Sequence, residues 1–221
     1  MEEQLVRPAW AESDDLMRTY YDTEWGVPVT SEHGVFERLC LEGFQAGLSW
    51  RTVLVKREAF RELFAGFEPE AVAGFTEEDV ERLAGDARII RHRGKIRAAI
   101  KNARVTLELR ELAASGAPEL QGFEVERART SGVEPAVRLL VEPGLPALVW
   151  GFKPQVTPLP RNVWEVPTSD AVSTALAKAL KKRGIGFMGP TSAYALMEAI
   201  GIIDTHPVGT HRRGISGIYP T

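Results

Sequence analysis

Apolar residues recur at helical spacing along most of this chain, and that periodicity restricts the possible fold more than any other feature. In residues 93–114 the apolar side chains fall at intervals of three and four, which places them on one face of a helix. Residues 34–48 and 51–64 show the same spacing, whereas the alternation of a half-buried strand is scarce. For a chain of 221 residues, this pattern predicts an all-α protein of about eight to ten helices.

Capping residues and prolines divide the helical pattern into segments. Thr76 precedes three acidic residues and is predicted to be the N-cap of a helix, and another helix is predicted over 170–183. Four prolines make residues 153–168 extended or turning. The segment 115–146 mixes glycine, proline and charge, so we expect a peripheral connection there, with a helix at 134–141.

Composition excludes several classes of protein. The net charge of −3 offers no overall basic field for nucleic acid. Cys40 is the single cysteine, which excludes a disulfide framework within the chain and indicates a reducing compartment, and we expect this side chain in the core. The N-terminus lacks the pattern of a signal peptide, and no apolar run approaches the roughly 20 residues that span a bilayer. We therefore expect a soluble cytoplasmic protein.

One segment nevertheless concentrates positive charge. Between residues 88 and 104 there are seven Lys or Arg residues and no acid. These residues are Arg88, Arg91, Arg93, Lys95, Arg97, Lys101 and Arg104. Such a run is either a solvated helix face or a surface that contacts phosphates, and the sequence leaves both possibilities open.

The stretch KALKKRGIGFMGPTSAYALMEAIG, residues 178–201, has the signals of two helices joined by a glycine-bracketed turn. The first helix ends in a basic cluster before Gly184, and Pro190 stands where the second helix begins, a position that proline favours. Free N–H groups at the start of a helix bind phosphate without regard to base sequence. A plain helical corner with a glycine C-cap is the alternative, but the neighbouring lysines favour phosphate binding.

Two further stretches carry residues that suit a binding pocket. In TYYDTEWGVPV, residues 19–29, the aromatic side chains either pack over the core or form a stacking platform for a planar ligand. In LEGFQAGLSW, residues 41–50, Glu42 lies off the apolar stripe of its helix, so periodicity alone predicts a solvated glutamate. Gly43 and Gly47 each lower helix propensity by about 1 kcal/mol relative to alanine, which indicates close approach by another helix or a ligand.

Taken together, long blocks of the chain resemble one known family. The blocks are YYDTEWGVPV, FERLCLEGFQAGLSWRTVLVKRE, EEDVERLAGDARIIRHRGKIRAAIKNAR and LAKALKKRGIGFMGPTSAYALMEAIGIIDTHPVG. In this order they resemble bacterial 3-methyladenine DNA glycosylase I, from residue 8 or so to residue 210, with an insertion at 117–145. The resemblance implies a single helix–hairpin–helix DNA glycosylase domain over residues 1–221. Its helix–hairpin–helix element would occupy residues 172–201, with a base pocket between two packed helical lobes.

The resemblance also implies an activity. Members of the family excise 3-methyladenine from alkylated DNA by hydrolysing its N-glycosidic bond, which leaves an abasic site for base excision repair. We therefore expect a monofunctional glycosylase that acts as a monomer on double-stranded DNA with alkylated bases, at the nucleoid of the bacterial cytoplasm and not at a membrane. The alternatives are a non-catalytic protein that binds alkylation lesions or DNA, and a helical structural protein. The pocket residues and the hairpin are both present in register, which favours the enzyme.

Roles carry over from the family residue by residue. Glu42 is the expected catalytic residue, a pocket carboxylate that hydrogen-bonds the flipped base. The expected base-binding residues are Tyr20, Trp25, Trp50 and Met17, and Met17 stands where the family has a tyrosine. Leu48 would fill the gap left in the duplex, with Gln45 near the opposite strand. The other expected DNA-binding residues are Gly47, Lys182, Gly184, Gly186, Gly189 and Thr191.

The metal site of the family is not matched in this chain. Members usually hold a structural zinc with two cysteines and two histidines, and the matching positions here are Pro8, Tyr21, His206 and Thr210. Because one histidine cannot hold a tetrahedral zinc, we predict no zinc and no other cofactor. The termini would then be tied by packing around Trp10 and Tyr21.

Asp204 is a second acidic candidate. Its tripeptide Asp-Thr-His resembles the segment that carries the catalytic aspartate of other helix–hairpin–helix glycosylases, but it follows the hairpin more closely than expected. We predict that Asp204 is a structural, helix-terminal aspartate.

Overall fold

The computed structural model describes residues 5–126 and 138–219. Over these residues the chain is mainly helical, as predicted, with one small sheet. The helices are α1 (Asp15–Thr23), α2 (Glu32–Gln45), α3 (Trp50–Leu54), α4 (Arg57–Leu63), α5 (Pro69–Ala73), α6 (Glu77–Gly85), α7 (Arg93–Ala114), α8 (Leu145–Trp150), α9 (Ala171–Lys182) and α10 (Pro190–Ala199). Short 3-10 helices occur at Ala9–Glu12, Ala65–Phe67, Pro118–Leu120 and Val163–Glu165. The strands are β1 (Phe123–Val125) and β2 (Leu139–Val141).

Helix ends follow the capping chemistry of the sequence. Thr76 and Asp79 form a reciprocal capping box at the start of α6, as the predicted N-cap requires. Asp170 and Ser173 form the same arrangement at the start of α9. The pattern over 51–64 is interrupted, since α3 ends at Leu54 and α4 begins at Arg57. Side-chain caps thus mark the starts of α6 and α9, whereas α4 begins without one, and the apolar spacing alone does not show this break.

The segment 115–146 departs from its prediction. Residues 139–141 of the predicted helix at 134–141 form strand β2, antiparallel to β1, and residues 134–137 lie outside the described residues. The physical reason is alternation, since Val141 is buried whereas the neighbouring Leu140 is exposed. The segment is also not wholly peripheral, because Leu120, Val141 and Leu145 are buried in the main core.

Helix α2 lies at the centre of the molecule. It packs against α3, α7, α8 and α10, so side chains on almost every side of it are buried. Cys40 is one of these buried side chains, as predicted, and burial raises the pKa of its thiol. A helix packed against four others keeps little solvent-exposed surface, so the apolar stripe alone does not tell which of its residues are exposed.

Helices α9 and α10 pack against each other and are joined by the turn 183–189. The side-chain amide of Asn102, on α7, binds both backbone polar groups of Gly186 in this turn. Its Nδ2 donates to the Gly186 carbonyl at 3.2 Å, and its Oδ1 accepts from the Gly186 N–H at 2.8 Å. The hairpin is thus held in place against the long helix α7.

The two ends of the described chain meet. Arg7 and Asp22 form an ion pair at 2.7 Å, and His211 Nε2 lies 3.0 Å from the same carboxylate. The His211 N–H donates to the Val6 carbonyl at 3.2 Å. None of the described helices is both long and apolar enough to cross a membrane.

Candidate active site

A cavity of about 550 Å³ opens between α1, α2, α3, α10 and the segment 163–168. All the residues predicted to bind a base lie in its wall, namely Met17, Tyr20, Trp25, Glu42 and Trp50. Its volume is within the range of small-molecule sites. The fold therefore brings together residues that are up to 33 positions apart in sequence, Met17 and Trp50 being the outermost.

Aromatic rings form much of the cavity wall. Tyr20 and Trp50 have ring centroids 5.2 Å apart and planes tilted by 41°. Trp10, which was not predicted to bind a base, meets Trp25 edge-on at 5.3 Å and also lines the cavity. Met17 completes this group as a buried, polarisable side chain. Such walls suit a flat, electron-poor ligand.

Glu42 is buried in this wall, with only 3% of its surface exposed. Its Oε2 has no hydrogen-bond partner among the described residues. Burial, with a further contribution from the charge of Glu198, raises the pKa of Glu42 to about 8. The prediction from periodicity that Glu42 is solvated is therefore wrong. The carboxylate lies in the cavity wall, where a ligand can reach it.

Glu198 is a second carboxylate in the cavity, and sequence reasoning missed it. Burial raises the pKa of Glu198 to about 7, and Thr205 Oγ1 donates a hydrogen bond to its Oε1 at 2.6 Å. A signal for it exists in the sequence. Thr191, Tyr194 and Glu198 follow the spacing i, i+3, i+7 of one helix face, and all three line the cavity.

The turn after α2 presents the residue predicted to enter the duplex. Leu48 is 42% exposed, and Gly47 before it has a φ of 80°, a conformation that favours glycine. Gln45 and Ser49, on either side, line the cavity. The apolar Leu48 side chain thus stands beside the cavity wall, in solvent.

Lys95 anchors this turn, a role that the sequence did not reveal. Its Nζ donates to the carbonyl of Phe44 at 2.8 Å and to that of Ala46 at 2.6 Å. These are carbonyls at the end of α2, where a cation is favourable. Burial lowers the pKa of Lys95. Of the residues in the basic run, Lys95 therefore binds backbone carbonyls of the protein.

Most of that basic run is paired with protein groups. Arg88, Arg93 and Arg97 form ion pairs with Glu62, Glu81 and Glu77. Arg104 donates to the carbonyls of Ala73 and Phe75. Of the two possibilities for the basic run, these contacts favour a solvated face whose charges are neutralised within the protein over a surface that contacts phosphates.

The hairpin presents a different surface. Lys182, Gly189 and Thr191 are exposed, while Gly184 and Gly186 are partly buried. Gly189 is the N-cap of α10 and has no side chain to accept from the first N–H groups of the helix. Thr191 also lines the cavity, so the hairpin and the candidate pocket are adjacent.

The residues at the family's metal position do not fit zinc. His206 Nδ1 lies 2.8 Å from Asp204 Oδ1, and its ring packs against Trp25 at 4.5 Å. Tyr21 occupies a second ligand position and packs edge-on against Trp10 and His206. Among the described residues, no three His, Cys, Asp or Glu side chains are placed to share a metal.

Asp204 lies five residues beyond the end of α10, so it is not helix-terminal as predicted, and both of its carboxylate oxygens accept from backbone N–H groups. Its Oδ1 accepts from the backbone N–H of His206 at 3.0 Å, and its Oδ2 accepts from that of Gly214 at 2.7 Å. Although burial opposes its ionisation, the hydrogen bond from His206 holds the pKa of Asp204 below its ordinary value. Asp204 is not among the residues of the cavity wall.

A helix–hairpin–helix element beside an acidic, aromatic cavity is the arrangement of the helix–hairpin–helix DNA glycosylases. The sequence matches the methyladenine glycosylase family over residues 10–134 and 136–213. The chain therefore belongs to the methyladenine glycosylase family.

Individual relatives agree with this assignment. DNA-3-methyladenine glycosylase 1 of Escherichia coli (strain K12) is 45% identical over 208 residues, which cover 93% of this chain and 95% of that protein. A crystal structure of 3-methyladenine DNA glycosylase I superposes with a TM-score of 0.78 at 39% identity, covering 94% of this chain and 100% of that one. The 3-methyladenine DNA glycosylase I of Staphylococcus aureus, whose structure concerns 3-methyladenine recognition, gives a TM-score of 0.74 at 28% identity, covering 93% and 97%.

Proposed function

We propose that this protein is a monofunctional DNA-3-methyladenine glycosylase of base excision repair. The observation that carries the proposal is Glu42, a buried carboxylate with a free oxygen in an aromatic cavity. Relatives of known name share the family, and the E. coli protein named above is similar over nearly the whole chain.

The chemistry of 3-methyladenine explains why a cavity with a carboxylate and aromatic rings suffices to catalyse the hydrolysis of its bond to the sugar. Methylation at N3 puts a positive charge on adenine and weakens its bond to the sugar. When that bond breaks, its electron pair goes to the base, which leaves as a neutral molecule without needing a proton. A water oxygen bonds to the sugar carbon, and the water releases one proton to solvent. The enzyme must flip the base, hold the cation and admit this water, and flipping costs a few kcal/mol of unstacking.

The cavity residues divide this work. Glu42 accepts a hydrogen bond from the exocyclic amine of the base, and its negative charge favours the cationic form over neutral adenine. Tyr20, Trp25 and Trp50 stack on the ring, each contact contributing about 0.5–2 kcal/mol to a cation. Met17 forms the remaining wall in place of a tyrosine.

Contacts to double-stranded DNA come from the two exposed turns beside the cavity. Leu48 fills the space that the flipped base leaves, Gln45 lies near the opposite strand, and Gly47 allows the turn between them. The hairpin residues Lys182, Gly184, Gly186, Gly189 and Thr191 contact the phosphate backbone through N–H groups and charge. We propose further that the protein acts as a monomer at the nucleoid in the bacterial cytoplasm, since one chain contains both the cavity and the DNA-contacting turns.

A non-catalytic lesion-binding protein is the second candidate. The observations in its favour are Met17 at a pocket position and the unmatched zinc ligands. Such a protein would bind methylated DNA more tightly than unmodified DNA and release no base.

Chromatography of the bases released from methylated duplex DNA tests the proposal. The wild-type protein is expected to release free 3-methyladenine at low salt, and Trp50→Ala is expected to reduce that release sharply. Lesion-dependent binding without any released base would support the second candidate. Absence of both release and salt-dependent binding would leave only a structural role.

A further inference from the structure

Glu198 is a second cavity carboxylate to which the proposed function assigns no role. It lies on α10, which packs against the α2 helix of Glu42, and both side chains line the cavity. The two are electrically coupled, because the charge of Glu198 contributes to the raised pKa of Glu42. The cavity therefore contains two interacting acids.

Glu198 is held by a short hydrogen bond. Thr205 Oγ1 donates to Glu198 Oε1 at 2.6 Å, and Thr205 is itself buried in the cavity wall. This is the hydrogen bond that the carboxylate accepts within the described part of the chain. Because the buried Thr205 hydroxyl donates its hydrogen bond to this oxygen, it fixes the carboxylate of Glu198 in one orientation.

Neighbouring groups do not neutralise the pair. Arg38 is near enough to lower the pKa of Glu42, but its guanidinium donates to Glu24. Tyr20 and Tyr194 face the same space, and burial raises the pKa of both phenols, which keeps them uncharged. Asp204 and His206 pair with each other. Within the described residues, no Lys or Arg forms an ion pair with either cavity glutamate.

Two acids without a cation in an aromatic cavity are costly to ionise. A ligand that brings positive charge offsets this cost, whereas a neutral ligand leaves it in place. The cavity is therefore matched to a flat cation, and one carboxylate alone would provide a weaker preference.

We propose that Glu198 is a specificity-determining residue that, together with Glu42, selects a cationic alkylated base over the neutral bases of DNA. This inference rests on the proposed glycosylase function.

The test compares the variant Glu198→Gln with the wild type. Glutamine keeps the size of the side chain and can still accept from Thr205, but it removes the charge. The kcat/KM for release of 3-methyladenine from methylated duplex DNA is expected to fall about tenfold or more. Because Glu198 helps to raise the pKa of Glu42, the rise of activity with pH is expected to move to lower pH in this variant.

A second variant is expected to shift the profile the other way. The hydrogen bond from Thr205 lowers the pKa of Glu198, so Thr205→Val raises that pKa. Full activity, which requires both carboxylates to be charged, should then be reached only at higher pH. Opposite shifts from two neighbouring substitutions are a result that general damage to the fold would not produce.

Glu32→Gln is the matched control. It too removes a buried carboxylate, but Glu32 lies at the start of α2, where it pairs with Arg110 and precedes Glu42 by ten residues, which is about 15 Å of helix. Its activity per folded molecule should equal that of the wild type. An unchanged rate and pH profile in folded Glu198→Gln and Thr205→Val would overturn the inference. A wild-type protein that releases no base would instead overturn the proposed function.

Discussion

At the scale of single residues, Glu42 combines a cost to the fold with a use in binding. An unpaired buried carboxylate destabilises a folded protein, because ionisation without water or a cation is unfavourable. The raised pKa of Glu42 expresses that cost, and its free Oε2 leaves a strong acceptor available to a ligand. Residues that lower stability in this way are typical of binding sites.

Replacing Glu42 by glutamine should separate the two effects. Release of 3-methyladenine is expected to fall at least tenfold, because the charge that favours the cationic base is lost. The folded pKa of about 8 exceeds the ordinary value of 4.5, so the stability of the wild type is fully present below pH 4.5 and declines as pH rises to 8. The variant should therefore be more stable than the wild type at pH 8, by about 1 kcal/mol or more.

Thermal unfolding at pH 4.5 and pH 8, together with base release, measures both effects. Equal stability of the two proteins at both pH values would show that Glu42 is solvated. Full activity of the variant would remove Glu42 from base recognition.

At the scale of elements, the end of α2 and the turn that follows form one unit with α7. Lys95 reaches from α7 to two carbonyls of that unit, and Leu48 is presented only two residues beyond the second. A loop whose backbone is anchored in this way holds an exposed apolar side chain in a defined place. The position of Leu48 therefore depends on a residue almost fifty positions away in sequence.

Lys95→Met should loosen this turn while preserving the apolar stem of the side chain. Release of 3-methyladenine from duplex DNA is expected to fall several-fold, and release from single-stranded methylated DNA much less, because only the duplex leaves a gap for Leu48 to fill. Arg104→Met is the control, since Arg104 also donates to two carbonyls from α7 but lies away from the cavity. Equal losses on both substrates would mean that Lys95 acts on the cavity and not on the turn.

The basic run of residues 88–104 and the hairpin should differ in their contribution to DNA affinity. Lys182 has no ion-pair partner among the described residues, so Lys182→Ala should lower DNA affinity and reduce the slope of log affinity against log salt by about 1. Arg97 is paired with Glu77, so Arg97→Ala should change that slope little. Fluorescence anisotropy at several salt concentrations measures both. A larger effect from Arg97 would identify the basic run as the DNA surface.

At the scale of the whole molecule, a network of side chains joins the two ends of the described chain. Arg7 and Asp22 belong to the N-terminal part, and His211 contacts both Asp22 and the Val6 carbonyl. Gly26 has a φ of 79°, and a side chain there would collide with the His206 ring, so the two segments pack closely. The residues of this network are sequence neighbours of the positions at which the family resemblance implies zinc ligands, namely Pro8, Tyr21, His206 and Thr210.

Because side-chain contacts already join the two ends, we expect the protein to be stable without a metal. Asp204 belongs to these contacts through its pairing with His206. Asp204→Asn should lower the free energy of unfolding by about 1–3 kcal/mol, because one of its oxygens would no longer accept a backbone N–H. Base release per folded molecule should be unchanged, and a chelator should leave the Tm of the wild type where it was. Thermal unfolding with and without chelator, with elemental analysis for zinc, measures this. Loss of base release in folded Asp204→Asn would make Asp204 catalytic, and a lower Tm with chelator would indicate a metal.

The positions of many helices in this protein can be predicted from local sequence. Helical periodicity predicts α7 to the residue, the Thr76 cap begins α6, and Pro190 begins α10, because each depends on interactions within a few residues. Those signals define a helical protein with a glycine-bracketed hairpin, and the block resemblance leads to the correct family.

Only the tertiary structure decided which side chains meet. Periodicity predicts a solvated Glu42, whereas packing of α2 by four other helices buries it. The role of Lys95 and the pairing of the basic run could not be predicted from the sequence either, since each depends on contacts across long stretches of chain. Helical spacing puts Glu198 on one face with Thr191 and Tyr194, but only packing turns that face toward the cavity. Local propensity determines where helices begin and end, but the charge state and exposure of a residue are set by neighbours that the fold brings from elsewhere.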